Sequence, residues 1–280
     1  MNLDRSPERL AETGAHLRAH GISFVRVPAV EGKNIGLPIP GIDPDVYRRN
    51  HGRTIRPGEV GCYLSHMKAM RTFLASSHAF CVILEDDATI AKGGKAAIDE
   101  LVACQLAGFD IVRLQLRRRG IGATVARLPS GHRVRVMATR MTGSVAYILT
   151  RAAASRYLAR LLPIVVPYDH AFDRPVHLGL SIGFVDPAPV IPAKSISTIE
   201  PPKPDRRRIA KADKVGVLGK IPVLRWRSET ELARAFAASS EALRRNVLGR
   251  RTSVLAEAPL PTFAPEIEAI IAPVALDRSA

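Results

Sequence analysis

Residues 79–87 read AFCVILEDD, an apolar run of strand length that ends abruptly in three carboxylates. Burying carboxylates costs free energy unless they meet solvent or a cation. In open α/β sheets, ligands bind at the C-terminal ends of strands. Glu85 and Asp87 stand two positions apart, and alternate residues of an extended chain point to the same side. The stretch therefore predicts a buried strand that presents a pair of carboxylates at a ligand site.

Helices and strands alternate on either side of this strand. Prolines and glycines separate apolar segments of helical and of strand length. The predicted segments, in chain order, are helix 6–20, strand 22–27, helix 59–76, strands 79–84, 110–116 and 144–149, and helix 151–162. Such alternation predicts an α/β domain with a mostly parallel central sheet.

The composition changes near residue 200. Residues 201–227 are rich in proline and basic side chains and are predicted to form an exposed linker. This linker would join a main domain, residues 1–200, to a C-terminal helical extension, residues 228–280. The far end of the extension is rich in alanine and proline and is predicted to be only partly ordered.

The extension is predicted to contain one long helix over residues 229–248. A capping box of Ser228 and Glu231 would begin it. We expect its apolar stripe to pack on the main domain, and the alternative for a basic amphipathic helix is a membrane surface. The residues of this stripe are Leu232, Phe236, Leu243 and Val247.

Composition excludes several classes of protein. Apolar residues make up 46% of the chain and charged residues 24%, which argues against a disordered or a collagen-like chain. No uninterrupted apolar run reaches the roughly 18 residues that a membrane span needs. The first ten residues, MNLDRSPERL, are polar where a signal peptide needs an apolar segment. We therefore expect neither a transmembrane segment nor a signal peptide.

The three cysteines are Cys62, Cys81 and Cys104, an odd number without CxxC spacing. This pattern favours neither a disulfide framework nor a structural zinc site. We expect the cysteines to act as small buried apolar side chains in a protein of a reducing compartment.

The net charge is strongly positive. Lys and Arg total 41 against 26 acidic residues, which gives +15 and a pI near 10.4. Such a field attracts anions, whether nucleic acid, an acidic membrane surface or a phosphorylated substrate. Aromatic residues are only 5% of the chain, and no RNP-like, helix-turn-helix or zinc-finger pattern occurs. A nucleic-acid-binding protein is therefore the less favoured alternative.

Glu85 and Asp87 offer the oxygen ligands that Mg²⁺ and Mn²⁺ prefer. A divalent ion held there would bridge to the diphosphate of a nucleotide and neutralise the charge on a departing nucleoside diphosphate. The alternative is an acidic turn that is simply solvated at the end of a strand.

Five sequence blocks resemble glycosyltransferase family 25, which contains lipooligosaccharide β-galactosyltransferases and collagen hydroxylysine galactosyltransferases. The blocks occur in family order within residues 2–190, and five in register make coincidence improbable. They are NLDR at 2–5 with ER at 8–9 and VPAVEG at 27–32, GEVGCYLSH at 58–66, LEDDA at 84–88, GSVAY at 143–147, and PYD at 167–169.

This resemblance implies a GT-A-like nucleotide-diphospho-sugar transferase fold and an inverting, metal-dependent transfer. The donor would be a UDP-sugar, with galactose from UDP-galactose as the expected hexose. The acceptor would be a lipooligosaccharide, a lipopolysaccharide or another cell-surface saccharide, generally lipid-linked. We expect a cytoplasmic protein, peripheral at the inner face of the membrane, where a basic surface meets anionic lipid.

The resemblance also assigns roles to single residues around the donor. Glu85 and Asp87 would hold Mn²⁺ or Mg²⁺, and Asp86 would contact ribose or sugar hydroxyls. Asn2 would contact the base or the ribose. Arg5 and Arg9 would bind the diphosphate of the sugar nucleotide, because guanidinium groups suit phosphate oxygens. A solvated helix face is the alternative for both arginines.

Asp169 is the candidate base for the acceptor hydroxyl. Its alternative role is a carboxylate that caps a helix N-terminus. If the segment is helical, Asp169, Asp173 and His177 share one face, although the latter two are expected to be structural. His66 would lie on the substrate side, and its alternative is a histidine satisfied within the core.

The start of the chain departs from the family pattern. Family members begin with an apolar strand before the Asn-Leu pair, whereas Asn2 here follows Met1 directly. If the family pattern holds, either the true start of the protein lies upstream of Met1, or the protein is a truncated transferase. A degenerate, non-catalytic member that binds saccharide or nucleotide is therefore the alternative function.

Overall fold

The computed structural model describes residues 1–36, 38–116, 120–193, 216, 219–249 and 255–275. Most of the predicted linker, including the basic run 203–208, lies outside the described residues. The arginine run 117–119 lies outside them as well.

A six-stranded sheet forms the centre of the fold, in the order β1-β6-β3-β7-β5-β4. A separate antiparallel pair is formed by β2 and β8. The strands are β1 (Phe80–Leu84), β2 (Ala88–Ile90), β3 (Ile111–Arg113), β4 (Gly122–Arg127), β5 (Arg133–Met137), β6 (Ala146–Thr150), β7 (Ile182–Asp186) and β8 (Val190–Pro192).

The prediction of a mostly parallel sheet is wrong. Only β3 and β7 pair in parallel, and the other four pairings in the six-stranded sheet are antiparallel. Five residues, 128–132, connect β4 to β5, and a parallel connection needs a crossover of a dozen residues or more. This hairpin therefore forces an antiparallel pairing, which the alternation of helices and strands did not reveal.

Eight α-helices occur in the described part of the chain. They are α1 (Pro7–Ala19), α2 (Pro44–His51), α3 (Pro57–Leu74), α4 (Gly94–Ala103), α5 (Arg151–Leu158), α6 (Tyr168–Phe172), α7 (Lys220–Asn246) and α8 (Pro265–Ile270). The predicted helices 6–20, 59–76 and 151–162 are confirmed to within four residues at each end. Within the described residues, no helix is both long enough and apolar enough to cross a bilayer.

Helices pack on both faces of the sheet because alternate strand residues face opposite layers. On one face, Ile83 and Tyr147 join a buried cluster with helices α3 and α5. On the other, Val82 and Ile148 contact a second cluster that includes α4. Strand β1 therefore runs between two apolar layers, as its sequence predicts, and it delivers residues 85–87 to the end of the sheet.

Two local predictions are wrong. Residues 22–27 form no strand, although Asn2 pairs with Pro28 in an isolated parallel bridge. Helix α7 begins at Lys220, inside the predicted linker, because Pro222 lies in the first turn, where a helix needs no amide donor. Ser228 therefore lies within the helix, where its hydroxyl donates to the carbonyl of Leu224, and caps nothing.

Helix α7 does not bury the stripe that the sequence predicts. Its buried residues are Val223, Thr230 and Arg234. Leu232 is 70% exposed and Phe236 75% exposed, and Leu243 and Val247 are also exposed. An ion pair explains this orientation, because Arg234 contacts the buried carboxylate of Asp173 and so turns its own face of the helix towards the main domain.

Candidate active site

The carboxylates of residues 85–87 lie in a tight turn at the end of β1. The amide of Ala88 donates to the carbonyl of Glu85 at 3.1 Å, and the amide of Glu85 donates to Val145 on the neighbouring segment at 2.9 Å. The expected extended geometry, with Glu85 and Asp87 on one side, is therefore wrong. The turn nevertheless keeps the three acidic side chains together, because the charges of Glu85 and Asp86 both act on Asp87.

Glu85 is held as an anion. The hydroxyl of Ser144 donates to its Oε1 at 2.8 Å, and Nε2 of His66 lies 3.4 Å from the same oxygen. Burial opposes ionisation, but the contacts with His66 and Ser144 outweigh it and lower the pKa of Glu85. A carboxylate that stays ionised while largely enclosed is suited to a cation.

Asp86 is engaged by helix α1 and the segment before it. Asn2 donates to its Oδ2 at 2.8 Å, and Arg9 lies 2.6 Å from its Oδ1. The hydroxyl of Thr13 donates to its backbone carbonyl at 2.8 Å. Asn2 and Arg9 are thus placed at the site, as the resemblance implies, but they are bound to a carboxylate. Arg5 instead forms an ion pair with Glu31 and is half-exposed.

Asp87 is the least satisfied of the three carboxylates. Its Oδ1 is buried without a hydrogen-bond partner in the structure as described, and its Oδ2 lies 3.9 Å from Arg9. Burial, followed by the charge of Glu85, raises the pKa of Asp87 to about 6. An unpartnered buried oxygen, on a carboxyl group whose ionisation is opposed by burial and by neighbouring negative charge, is a group that a divalent cation would stabilise. The chain's own residues therefore fit a hard divalent ion.

His66 lies in the core, where it joins three of the sequence blocks quoted for the family resemblance. It is fully buried on α3, its Nδ1 lies 2.9 Å from the hydroxyl of Tyr147, and its ring stacks on Tyr168 at 3.8 Å. The hydroxyls of Tyr147 and Tyr168 are 3.0 Å apart. Burial lowers the pKa of His66, so its ring is neutral. His66 is therefore a core residue whose contact with the site is its approach to the carboxylate of Glu85.

Cys62 lies one helical turn before His66 and faces the same carboxylate. In the part of the chain that the structure describes, the one group of at least three metal-ligating side chains is Cys62, His66 and Glu85. Their ligand atoms all lie within 4.8 Å of one another. Asp87, predicted as a metal ligand with Glu85, lies outside this group.

Asp169 lies in the first turn of α6, beside the buried ring of Tyr168. Burial and then the charges of Glu85 and Asp169 raise the pKa of the Cys62 thiol, so the charge of Asp169 acts on the same thiol as that of Glu85. The charge of Asp169 also acts on His51, whose ring centroid lies 5.2 Å from that of His170. Burial lowers their pKa values to about 3 and about 4, so both are neutral.

Asp173 and His177 do not continue a helical face from Asp169, because α6 ends at Phe172. Asp173 is buried and accepts from Arg234 at 2.8 Å, and Arg113 lies 3.8 Å from it. His177 lies in a short 3-10 helix and is exposed. The expected three-residue face is therefore wrong.

Several residues of the site are not among those predicted from the sequence. Ser144 and Tyr147 position Glu85 and His66, and Tyr168 stacks on His66. Each belongs to a block quoted for the family resemblance, which is the signal that could have found them. Cys62 belongs to such a block too, but its interpretation as a small apolar side chain hid its proximity to Glu85.

Comparison with known proteins matches the region that contains the five quoted sequence blocks. A family model described as glycosyltransferase family 25 (LPS biosynthesis protein) matches residues 1–172. A probable inactive glycosyltransferase 25 family member 3 from Rattus norvegicus is 30% identical over an alignment of 187 residues, and the match covers 62% of this chain and 32% of that protein.

Two further relatives extend the comparison. The inactive glycosyltransferase 25 family member 3 of Homo sapiens is 29% identical over 59% of this chain and 29% of that protein. A glycosyltransferase 25 family member of Aedes aegypti is 28% identical over 42% of this chain and 21% of that protein. The match thus spans no more than about a third of the length of these relatives.

Proposed function

The chain belongs to glycosyltransferase family 25, and from this membership we propose that it transfers a hexose from a UDP-sugar to a saccharide acceptor. The proposed donor is UDP-galactose, and the proposed transfer inverts the anomeric carbon within a GT-A-like arrangement. The acceptor is a lipooligosaccharide, a lipopolysaccharide or another cell-surface saccharide.

The orphaned oxygen of Asp87 carries this proposal. It lies beside the ionised Glu85 at the end of a buried strand, where a ligand meets an α/β sheet. Glu85 and Asp87 would hold Mn²⁺ or Mg²⁺, which would neutralise the charge that develops on the departing nucleoside diphosphate. Asp86 is the third carboxylate, and its contacts with Asn2 and Arg9 fix the turn.

The other residues bind, orient and move a proton. Asp169 would accept the proton of the acceptor hydroxyl as that oxygen attacks the anomeric carbon opposite the leaving diphosphate. The sugar gains oxocarbenium character in such a step, by analogy with glycoside hydrolysis. Arg5 and Arg9 would turn from their carboxylate partners towards the diphosphate, with Asn2 on the ribose and His66 holding Glu85 in place.

The donor requirement predicts a thermal-shift result. Purified chain would be heated with UDP-galactose, UDP-glucose and GDP-mannose, each with and without Mn²⁺. At donor near 100 times its dissociation constant, binding stabilises by about 2.7 kcal/mol, which raises the Tm by roughly 5–10 °C. We expect the largest rise with UDP-galactose and Mn²⁺ together. No rise with any sugar nucleotide would remove the transferase function.

A non-catalytic member of the family is the second candidate. Relatives from rat and human carry "inactive" in their names, and Arg9 already neutralises part of the carboxylate group. The same screen separates the two candidates when it is followed by an assay for UDP release. Stabilisation by the donor without any UDP release, with or without acceptor, would favour the non-catalytic function.

The exposed stripe of α7 supports peripheral contact with an anionic membrane from the cytoplasmic side. Leu232 and Phe236 are mostly exposed on a helix whose chain carries +15 net charge. Amphipathic helices of this kind bind lipid by burying the apolar face while basic groups meet anionic headgroups. A nucleic-acid partner is not proposed.

Vesicle binding tests the role of this stripe. We expect the double variant Leu232→Ser, Phe236→Ser to weaken binding to phosphatidylglycerol-containing vesicles about 30-fold in a cosedimentation assay, because roughly 2 kcal/mol of apolar burial is lost. Ile121→Ser is the matched control, since Ile121 is as exposed as Phe236 but lies outside α7. Equal binding of wild type and the double variant, or equal binding to neutral vesicles, would contradict the proposal.

A further inference from the structure

We propose that Cys62, His66 and Glu85 form a binding site for a thiolate-preferring divalent ion, with Zn²⁺ as the expected occupant. The site shares Glu85 with the oxygen-ligand site proposed for the sugar-nucleotide cation, and it differs from that site in having Cys62 and His66 in place of Asp87. The proposal concerns ion binding by these three side chains and does not depend on sugar transfer.

The backbone places the three ligands together. Cys62 and His66 are four residues apart on α3, so both project from one face of the helix. Glu85 arrives from the end of β1, against which that face packs. The three ligand atoms lie within 4.8 Å of one another. Tetrahedral zinc with bonds of about 2.0–2.3 Å separates ligand atoms by roughly 3.5 Å, so small side-chain rotations close the site.

An unpartnered nitrogen points to a ligand at this place. Nε2 of the fully buried His66 has no hydrogen-bond partner in the described structure, and its nearest carboxylate oxygen is 3.4 Å away. Burying a polar nitrogen without a partner costs free energy. A metal ion between Nε2, the carboxylate and the Cys62 sulfur satisfies this nitrogen.

The contacts of His66 resemble those of a metal-binding histidine. Ligating histidines hold their other ring nitrogen in a hydrogen bond that fixes the ring, and Nδ1 of His66 lies 2.9 Å from the hydroxyl of Tyr147. The ring is also stacked on Tyr168, with only 6° between the planes. Glu85 is oriented in turn by the hydroxyl of Ser144. The ligands are therefore held before any ion arrives.

Ligand chemistry selects the ion. A sulfur, an imidazole and a carboxylate suit Zn²⁺, whereas Mg²⁺ and Mn²⁺ favour oxygen ligands. Binding converts the Cys62 thiol to a thiolate and releases its proton to solvent. Three protein ligands leave a fourth position for water. The sequence carries no zinc signature because the third ligand lies 19 residues after His66.

Cobalt spectroscopy tests the site without reference to activity. Untagged, metal-stripped protein would be titrated with Co²⁺, and a thiolate-to-cobalt charge-transfer band in the near ultraviolet would report the sulfur ligand. Zn²⁺ would then displace Co²⁺ and remove the band. Cys62→Ala is expected to abolish the band and weaken Zn²⁺ binding by about 100-fold. Cys104→Ala is the matched control, because Cys104 is a free cysteine outside the cluster.

Two results would overturn the inference. One is the absence of a charge-transfer band in folded wild-type protein, and the other is a band that survives in Cys62→Ala. Circular dichroism and the Tm of each variant show whether it is folded. Because donor binding is measured separately, loss of sugar-nucleotide binding with an intact cobalt band counts against the proposed function and leaves this site standing.

Discussion

Replacing Asp87 with Asn is expected to abolish cation-dependent donor binding and to lower kcat/KM about 100-fold or more. The physical reason is the loss of one of the two carboxylates proposed to hold the divalent ion, whose charge stabilisation is worth several kcal/mol. Asn keeps the shape of Asp and removes the charge. Calorimetric titration of UDP in the presence of Mn²⁺, together with UDP release from UDP-galactose, would measure the effect.

The same variant is expected to be as stable as wild type or more stable at neutral pH. The pKa of Asp87 is raised to about 6 by burial and by the charge of Glu85. Between about pH 4 and about pH 6, this carboxyl group is ionised in the unfolded chain but still protonated in the folded protein. The folded protein therefore loses stability as the pH rises through this range. At neutral pH, Asp87→Asn is therefore expected to raise the unfolding free energy by up to about 3 kcal/mol.

Asp99→Asn is the control, since Asp99 is exposed and pairs with Lys95 on α4. It should leave both donor binding and turnover unchanged. Wild-type turnover in Asp87→Asn would contradict the assignment of Asp87 to the metal. Reduced stability of Asp87→Asn at neutral pH would contradict the assigned strain on its carboxylate.

Replacing Asp173 with Asn is expected to cost about 3–5 kcal/mol of unfolding free energy. Asp173 is buried between Arg234, which donates to it at 2.8 Å, and Arg113 at 3.8 Å, and both guanidinium groups are nearly inaccessible. Removing this carboxylate leaves the buried Arg113 without its acidic partner, and it leaves Arg234 with only the partly exposed Glu231 at 2.9 Å. In a domain of this size, that loss lowers the Tm by roughly 10 °C, which thermal unfolding followed by circular dichroism would measure.

Asp186→Asn is the matched control, because Asp186 also pairs with two arginines, Arg133 and Arg135, but at partly exposed positions. Exposed pairs contribute about 0–1 kcal/mol, so its Tm should fall by no more than about 4 °C. Equal losses in the two variants would contradict the distinction that burial makes. The comparison also tests how α7 is attached, since Arg234 reaches Asp173 from that helix.

Local sequence patterns predicted the elements that local physics controls. The apolar run ending at Leu84 is a strand because its side chains alternate between two buried layers. Pro7 and Pro57 stand in the first turns of α1 and α3, where a missing amide donor costs nothing. The carboxylates at 85–87 lie at the end of the sheet because a strand buried on both faces has to end where charged side chains begin.

Predictions that needed distant partners were wrong. Residues 22–27 have strand-like composition, yet no described strand lies beside them to pair with. The apolar stripe of α7 was expected to be buried, but the ion pair of Arg234 with Asp173 turns the opposite face to the main domain. In both cases, a contact across the fold overrides the local pattern.

The amino-acid sequence was enough to identify the family, from blocks that occur in family order along the chain. It was also enough to predict the carboxylates at 85–87 and most helix positions, because these depend on neighbours within one or two turns of chain. Only the tertiary structure decided that the sheet is mostly antiparallel and that Cys62 and His66 meet Glu85. It also decided that Asp173 is locked by two arginines. Such contacts join residues that are far apart along the chain, and their free energy exists only after the elements have packed.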